Sequence, residues 1–146
     1  RTLKIAQEIK KAIGDTPLIL KLAYFKDEQI LTDFVKKLGP VVDGFAAINT
    51  IAATIVDRDG QQALPGKGRE KSGVCGYAIK WAGLDMVKRL AKLRAKLGLA
   101  YSIIGVGGVT LAADYFDYKN NGADAVMSAT GAMWNQDLAK EILAKS

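Results

Sequence analysis

Two turns rich in small residues, each placed where an apolar run stops, constrain this chain more than any other feature. Ile103-Ile104-Gly105-Val106-Gly107-Gly108-Val109 is followed, one helical pattern and one apolar run later, by Ser128-Ala129-Thr130-Gly131. Glycine at the end of a strand lets the backbone approach a bound anion closely, and the N–H groups at the start of the next helix point toward it. Two such turns on consecutive βα units read as a single phosphate cradle.

The rest of the chain has the alternation this reading requires. Four β-rich runs, Pro17–Ala23, Val42–Ile48, Tyr101–Val106 and Asp124–Ser128, are separated by helical patterns, which predicts an α/β fold with a parallel sheet. Ile5, Ile9 and Ile13 form a helical stripe ended by Gly14, and Ile30, Leu31, Phe34, Val35 and Leu38 form another ended by Gly39-Pro40. Later helices are expected over Gly83–Leu97, Leu111–Asn120 and Gln136–Ala144, with Thr110 and Asn135 as N-caps of the last two. The connection from Asn49 to Gly76 is long, charged and glycine-rich, and it leaves the carboxyl end of a strand. A lid or substrate-facing loop is expected there.

Composition narrows the chemistry. Of 146 residues, 49% are hydrophobic and 25% charged, as in one ordinary globular domain, and the apolar runs are too broken to cross a bilayer. The chain opens at Arg1 within a helical pattern, which leaves an upstream targeting segment open. With no histidine and one cysteine, Cys75, it has no disulfide framework, no ordinary metal site and no Ser-His-Asp or Cys-His mechanism. That cysteine usage fits a reducing compartment, so a cytoplasmic location is expected. The net charge of +6 is concentrated at Lys88, Arg89, Lys92, Arg94 and Lys96. These flank Leu84, Val87, Leu90, Leu93 and Leu97 at helical spacing and carry no interleaved aromatic, so they read as a solvated helix face and not as a nucleic-acid surface.

Individual residues stand out on chemical grounds. Lys21 is a lone cation in an apolar strand, where burial would demand an anion. Asn49 and Thr50 follow a strand end, and an asparagine amide both donates and accepts hydrogen bonds. Four βα units are half of an eightfold barrel, so the chain is either a small open doubly wound sheet or part of a larger closed one.

In order, Leu18-Ile19-Leu20-Lys21-Leu22, Ala47-Ile48-Asn49-Thr50, the stretch from Ser72 to Lys80 and the two glycine-rich turns resemble the dihydroorotate dehydrogenase family over nearly the whole chain. The resemblance implies the C-terminal half of a (β/α)8 TIM barrel, from its fifth strand to its eighth helix. It also implies an FMN-dependent oxidation of dihydroorotate to orotate in pyrimidine biosynthesis. A related dihydropyrimidine oxidoreductase and a non-catalytic half-barrel that binds a phosphate-bearing ligand are the alternatives.

By the same resemblance, Lys21, Ile48 and Gly73 lie against the flavin, with Gly76 letting the backbone pass close to it. Gly107, Gly108, Ala129 and Thr130 hold its phosphate, and Asn49 and Thr50 contact the pyrimidine. Ser72 stands where the family usually has glycine, and Cys75 does not match the catalytic cysteine of some members and reads as a small packing residue. The family's catalytic base belongs to a loop after the fourth strand, so no catalytic residue is expected in this chain and the chain alone is expected to be inactive. The expected partners are the N-terminal half of the barrel or a second copy of the chain. The electron acceptor stays open, although the Ser72–Lys80 stretch is more similar to the soluble branch of the family than to the membrane-associated one.

Overall fold

The computed structural model describes all residues from Arg1 to Ser146. Its strands are β1 (Ile19–Leu22), β2 (Gly44–Ala47), β3 (Ile51–Thr54), β4 (Lys71–Val74), β5 (Ser102–Val106) and β6 (Ala125–Met127). Its α-helices are α1 (Thr2–Ile13), α2 (Glu28–Leu38), α3 (Lys80–Leu97), α4 (Ala112–Asn120), α5 (Thr130–Trp134) and α6 (Leu138–Leu143). Strands β1, β2, β5 and β6 form one parallel sheet in that order, so each predicted β-rich run is a strand, trimmed at its ends.

Register explains which face of that sheet is filled. Leu20 pairs with Phe45, which pairs with Ile103, and Leu22, Ala47, Gly105 and Val126 form the next row. Side chains alternate along a strand, so these rows share one face, and their apolar members belong to or pack against the core under the helices. The intervening rows, Ile19 with Gly44 and Ser102, and Lys21 with Ala46, Ile104 and Ala125, share the other face. No helix covers that face: Ile19 is 38% exposed and Met127 55%. Parallel sheets are ordinarily covered on both faces, so this one presents an unfinished side, flanked by the unpaired edges of β1 and β6.

The helices form where the apolar stripes predict them. Asp27 caps α2 by accepting a hydrogen bond from the Ile30 amide at 2.9 Å. Helix α3 buries Met86, Val87, Leu90 and Leu93 and stops at Gly98 in the left-handed conformation, with φ 62°. It starts at Lys80, three residues before the expected Gly83, because a 3-10 turn over Gly76–Ile79 feeds directly into it. Its lysines Lys88, Lys92 and Lys96 are solvated as expected, but its arginines are not. Arg89 binds Glu28, Asp85 at 3.2 Å and the Phe25 carbonyl at 2.6 Å, and Arg94 binds Asp124 and the Tyr101 carbonyl. The α3 arginines are therefore struts to neighbouring elements.

Three expectations about local structure are corrected. The long connection from Asn49 to Gly76 is not plain loop: Ile51–Thr54 and Lys71–Val74 pair antiparallel as a hairpin, which the glycine and charge around its tip obscured. The N-caps of α4 and α6 are Leu111 and Asp137, with Thr110 and Asn135 one and two residues earlier. The segment after the second small-residue turn carries the short helix α5, which was not foreseen.

One aromatic residue joins the layers. Tyr118 of α4 is fully buried, and its ring passes between Gly83 of α3 and Gly105 of β5. A Cβ at Gly83 would lie 2.0 Å from the phenol oxygen, and one at Gly105 would lie 2.4 Å from the ring. Neither position has room for any side chain. Gly105→Ala is therefore expected to destabilise the protein by about 1–3 kcal/mol through overpacking. Urea unfolding should show a lower midpoint at an unchanged slope.

Candidate functional site

A cavity of about 260 Å³ opens at the carboxyl ends of the four parallel strands. Its floor is set where β2 runs out of the sheet. There the Ile48 amide donates to the Val106 carbonyl at 3.0 Å and the Asn49 amide donates to the Leu22 carbonyl at 2.7 Å. These two bonds tie the chain to both neighbouring strands, bury Ile48 at 2% exposure and leave Asn49 and Thr50 exposed on the cavity wall. Lys21 also lines the cavity, but it is exposed and not buried, because its row lies on the uncovered face of the sheet.

The opposite wall is built from the two small-residue turns. Gly107 and Gly108 have φ of 124° and 68°, values that an L side chain adopts only with strain. A Cβ on Gly108 would also lie 2.8 Å from Lys80 Cβ and 2.9 Å from Tyr77 Cα. The second turn locks onto the first: the Ser128 hydroxyl donates to the Val109 carbonyl at 2.8 Å and accepts from the Ala132 amide at 3.2 Å. Gly131 permits the contact, since a Cβ there would sit 2.2 Å from the Val109 carbonyl oxygen. The turns thus form one rigid wall.

This wall is suited to an anion. The amides of Gly107, Gly108, Val109, Ser128 and Ala129 have no acceptor within the chain, although Gly108 and Val109 are buried. Buried N–H groups are almost always paired, so donors left free at a cavity are an unfilled demand for acceptors. Lys21 is the one charged residue among those lining the cavity, and none of them is acidic. A phosphate group has the charge and the acceptor oxygens that such a surface lacks.

The model of the dihydroorotate dehydrogenase family matches residues 2–145. The chain belongs to the dihydroorotate dehydrogenase family. It is 34% identical over 124 residues to a dihydroorotate dehydrogenase of Dictyostelium discoideum, a match covering 84% of this chain and 34% of that protein. It is 31% identical to the catalytic subunit of dihydroorotate dehydrogenase B (NAD(+)) of Staphylococcus carnosus, over 91% of this chain and 41% of that one. It is 34% identical to the dihydroorotate dehydrogenase (quinone) of Bordetella pertussis, over 88% of this chain and 36% of that protein. The chain therefore spans between a third and about two-fifths of the length of these relatives. Relatives of both the NAD(+) and the quinone type match, so the expected leaning toward one branch gains no support from them.

Of the residues that the family resemblance singled out, Lys21, Ile48, Asn49, Thr50, Gly107, Gly108, Ala129 and Thr130 line this one cavity. Gly73 does not. It lies in β4 against Thr50, where a Cβ would come within 2.4 Å of the Thr50 hydroxyl oxygen, so its small size serves the hairpin and the placing of Thr50. Gly76, with φ 75°, is the glycine of that segment which reaches the cavity. Cys75 is corrected too: it is exposed and lines the cavity, because the 3-10 turn starts immediately after it and holds it outside the core. Thr110 and Met127 also line the cavity and were missed. Thr110 had been read as a helix cap, and the position of Met127 on the open face follows only from strand register.

Beneath the cradle lies a compact ionic cluster. One Asp114 oxygen accepts hydrogen bonds from the Thr110 and Leu111 amides, both at 2.8 Å, and from the Thr110 hydroxyl at 3.0 Å. Its other oxygen meets the Lys80 ammonium, which also binds Asp117 at 2.7 Å. Burial alone would raise the Asp114 carboxyl, but the Lys80 ammonium and the turn's hydrogen-bond donors outweigh it and hold the group down at about 2. Lys80 is shifted the opposite way: burial favours its neutral form, and the two carboxylates overcome this and raise it. Lys80 thus compensates the one carboxylate buried under an anion site.

A depressed carboxyl contributes stability above its unfolded value, near 3.8, and loses that contribution as the pH falls toward about 2. The shift corresponds to about 2 kcal/mol. Urea unfolding at stepped pH should find wild type more stable than Asp114→Asn at neutral pH by at least this order, with the gap closing as the solution is acidified through that window. A gap that stays constant with pH would assign the effect to packing and not to charge.

Proposed function

We propose that this chain is the C-terminal half of a dihydroorotate dehydrogenase barrel, carrying the FMN-phosphate cradle and part of the pyrimidine site of an enzyme that oxidises dihydroorotate to orotate. The observation that carries the proposal is the convergence of Lys21, Ile48, Asn49 and Thr50 with two anion-accepting turns around one cavity. A flavin mononucleotide fits these residues: its phosphate supplies acceptors for the free amides of Gly107, Gly108 and Ala129, with the Thr130 side chain beside them. The chemistry such a flavin supplies when bound is acceptance of a hydride from a saturated pyrimidine ring.

The chain's own residues would then divide the remaining work. Lys21 places a positive charge at the cavity, where it favours negative charge developing on the reduced ring. Ile48 gives an apolar wall for a planar ring to pack on. Asn49 offers both a donor and acceptors to a pyrimidine, whose ring amides and carboxylate need both, and Thr50 lies beside it. The hairpin β3–β4 runs between Thr50 and Cys75, which both line the cavity, and from there it would serve as a lid.

A general base is the missing part. No histidine is present, no carboxylate lines the cavity, and the family resemblance puts the base on a loop after the fourth barrel strand and not at Cys75, so proton removal from the substrate would fall to a group outside these residues. The uncovered sheet face and the free edges of β1 and β6 are where the other half of the barrel, or a second copy of the chain, would close the structure.

The visible absorbance spectrum of the purified full-length protein, with the released cofactor identified by mass, tests the proposal directly. Two oxidised-flavin bands and FMN near one per chain are expected. Gly108→Ala, which forces a Cβ against Lys80 and Tyr77, should weaken FMN binding by about tenfold or more, the worth of one or more lost charge-assisted hydrogen bonds. A colourless protein that takes up no added FMN would remove the proposal.

A further inference from the structure

We infer that Tyr118, which lies behind the cradle and does not line the cavity, is a positioning residue that sets affinity for the phosphate group of the ligand by fixing the Gly107–Gly108 peptide. The inference rests on the phosphate-binding reading of the two turns and names a residue that this reading does not contain. The Tyr118 hydroxyl donates to the Gly107 carbonyl at 2.8 Å. That carbonyl and the Gly108 amide belong to the same peptide unit, and the chain's single cis bond lies elsewhere, at Ala47–Ile48. In a trans peptide the C=O and N–H point in opposite directions. Holding the carbonyl toward the phenol therefore turns the Gly108 N–H away from it, toward the cavity that Gly108 lines.

The need for such a hold follows from the glycines themselves. Gly107 and Gly108 are free of side-chain restraint, so this peptide could flip and present its carbonyl to the anion, reversing an attraction into a repulsion. The phenol prevents the flip from a fixed place. Its ring is clamped where a Cβ at Gly83 or Gly105 would collide with it, and its hydroxyl has only the Gly107 carbonyl as a hydrogen-bond partner. On the neighbouring turn the Ser128 hydroxyl makes a comparable bond to the Val109 carbonyl. The carbonyls of Gly107 and Val109, on either side of Gly108, are thus both held by hydroxyl donors.

Tyr118→Phe isolates the effect, because it keeps the ring in its slot and deletes only the donor. Dissociation constants for FMN and for riboflavin, which lacks the phosphate, would be measured on the purified apoprotein, with inorganic phosphate as a competitor. The variant is expected to bind FMN about tenfold more weakly, to bind riboflavin as wild type does, and to lose competition by inorganic phosphate in parallel. Restoring a donor at the same place with 4-aminophenylalanine should recover FMN affinity.

Equal weakening of FMN and riboflavin would overturn the inference, since a merely structural role acts on both. Unchanged FMN binding would also overturn it. Failure of the underlying reading looks different: wild type itself would then bind FMN no better than riboflavin and ignore inorganic phosphate. Riboflavin binding also reports folding, so a variant that had lost its structure would register as a loss of both ligands and count against the inference.

Discussion

The fit of Tyr118 between Gly83 and Gly105 is the constraint on which the arrangement of this chain most depends. It brings together a helix, a central strand and the following helix at a spacing that no side chain at either glycine would allow. Burial pushes the phenol up to about 12, so it stays protonated and keeps its donor across the physiological range. Because the same residue bonds the Gly107 carbonyl, the packing of the core and the shape of the anion cradle are set by one side chain. Packing errors in this layer would therefore be transmitted to the site.

Electrostatics solve a second problem raised by the same geometry. The helix start after the first turn needs acceptors for its unpaired amides, and Asp114 provides one for Thr110 and Leu111. A bare carboxylate there would repel the phosphate group proposed for the two turns. Lys80, delivered by the first turn of α3, neutralises it from below, and Asp117 shares the ammonium. The cavity side of the wall thus carries amides and Lys21 without a competing negative charge.

How much of this was legible in the sequence differs by level. Apolar runs and helical stripes located all four parallel strands and most helices, because burial makes β2 a continuous apolar run and gives α2 and α3 a helical apolar stripe. The hairpin β3–β4 was not legible, since Ile51–Thr54 and Lys71–Val74 are short and largely exposed, pair only with each other, and reach the core through Ile51 and Val74. The two small-residue turns, Lys21 and the Asn49–Thr50 pair stood out by their own chemistry, but Ile48 and the specific roles given to all of them came from likeness to a family. Asparagine after a strand and glycine after a strand are common for purely structural reasons. Gly73 shows the cost of that route: its small size is explained by Thr50 packing on it. Residues that shape the site from behind, Tyr118 and Lys80, gave no signal, because their partners lie 11 and 34 positions away along the chain.

The uncovered face of the sheet gives the cavity a functional logic of its own. A strand end contributes to a site through its last residues, but a barrel places a ligand between strands that come from both sides of the closed sheet. Here one side is complete: cradle, apolar wall and polar pair stand on four adjacent strand ends. The facing side is open, and Lys21 and Met127 are exposed on the strands that border it. A phosphate-bearing ligand held at the cradle would extend from Gly108 across Ile48 toward this opening. Closing the opening would bury Lys21, and burial is the condition under which a single cation acts most strongly on a neighbouring charge. The electrostatic role proposed for Lys21 is therefore latent in the open structure and develops only when the rest of the barrel excludes water from the cavity.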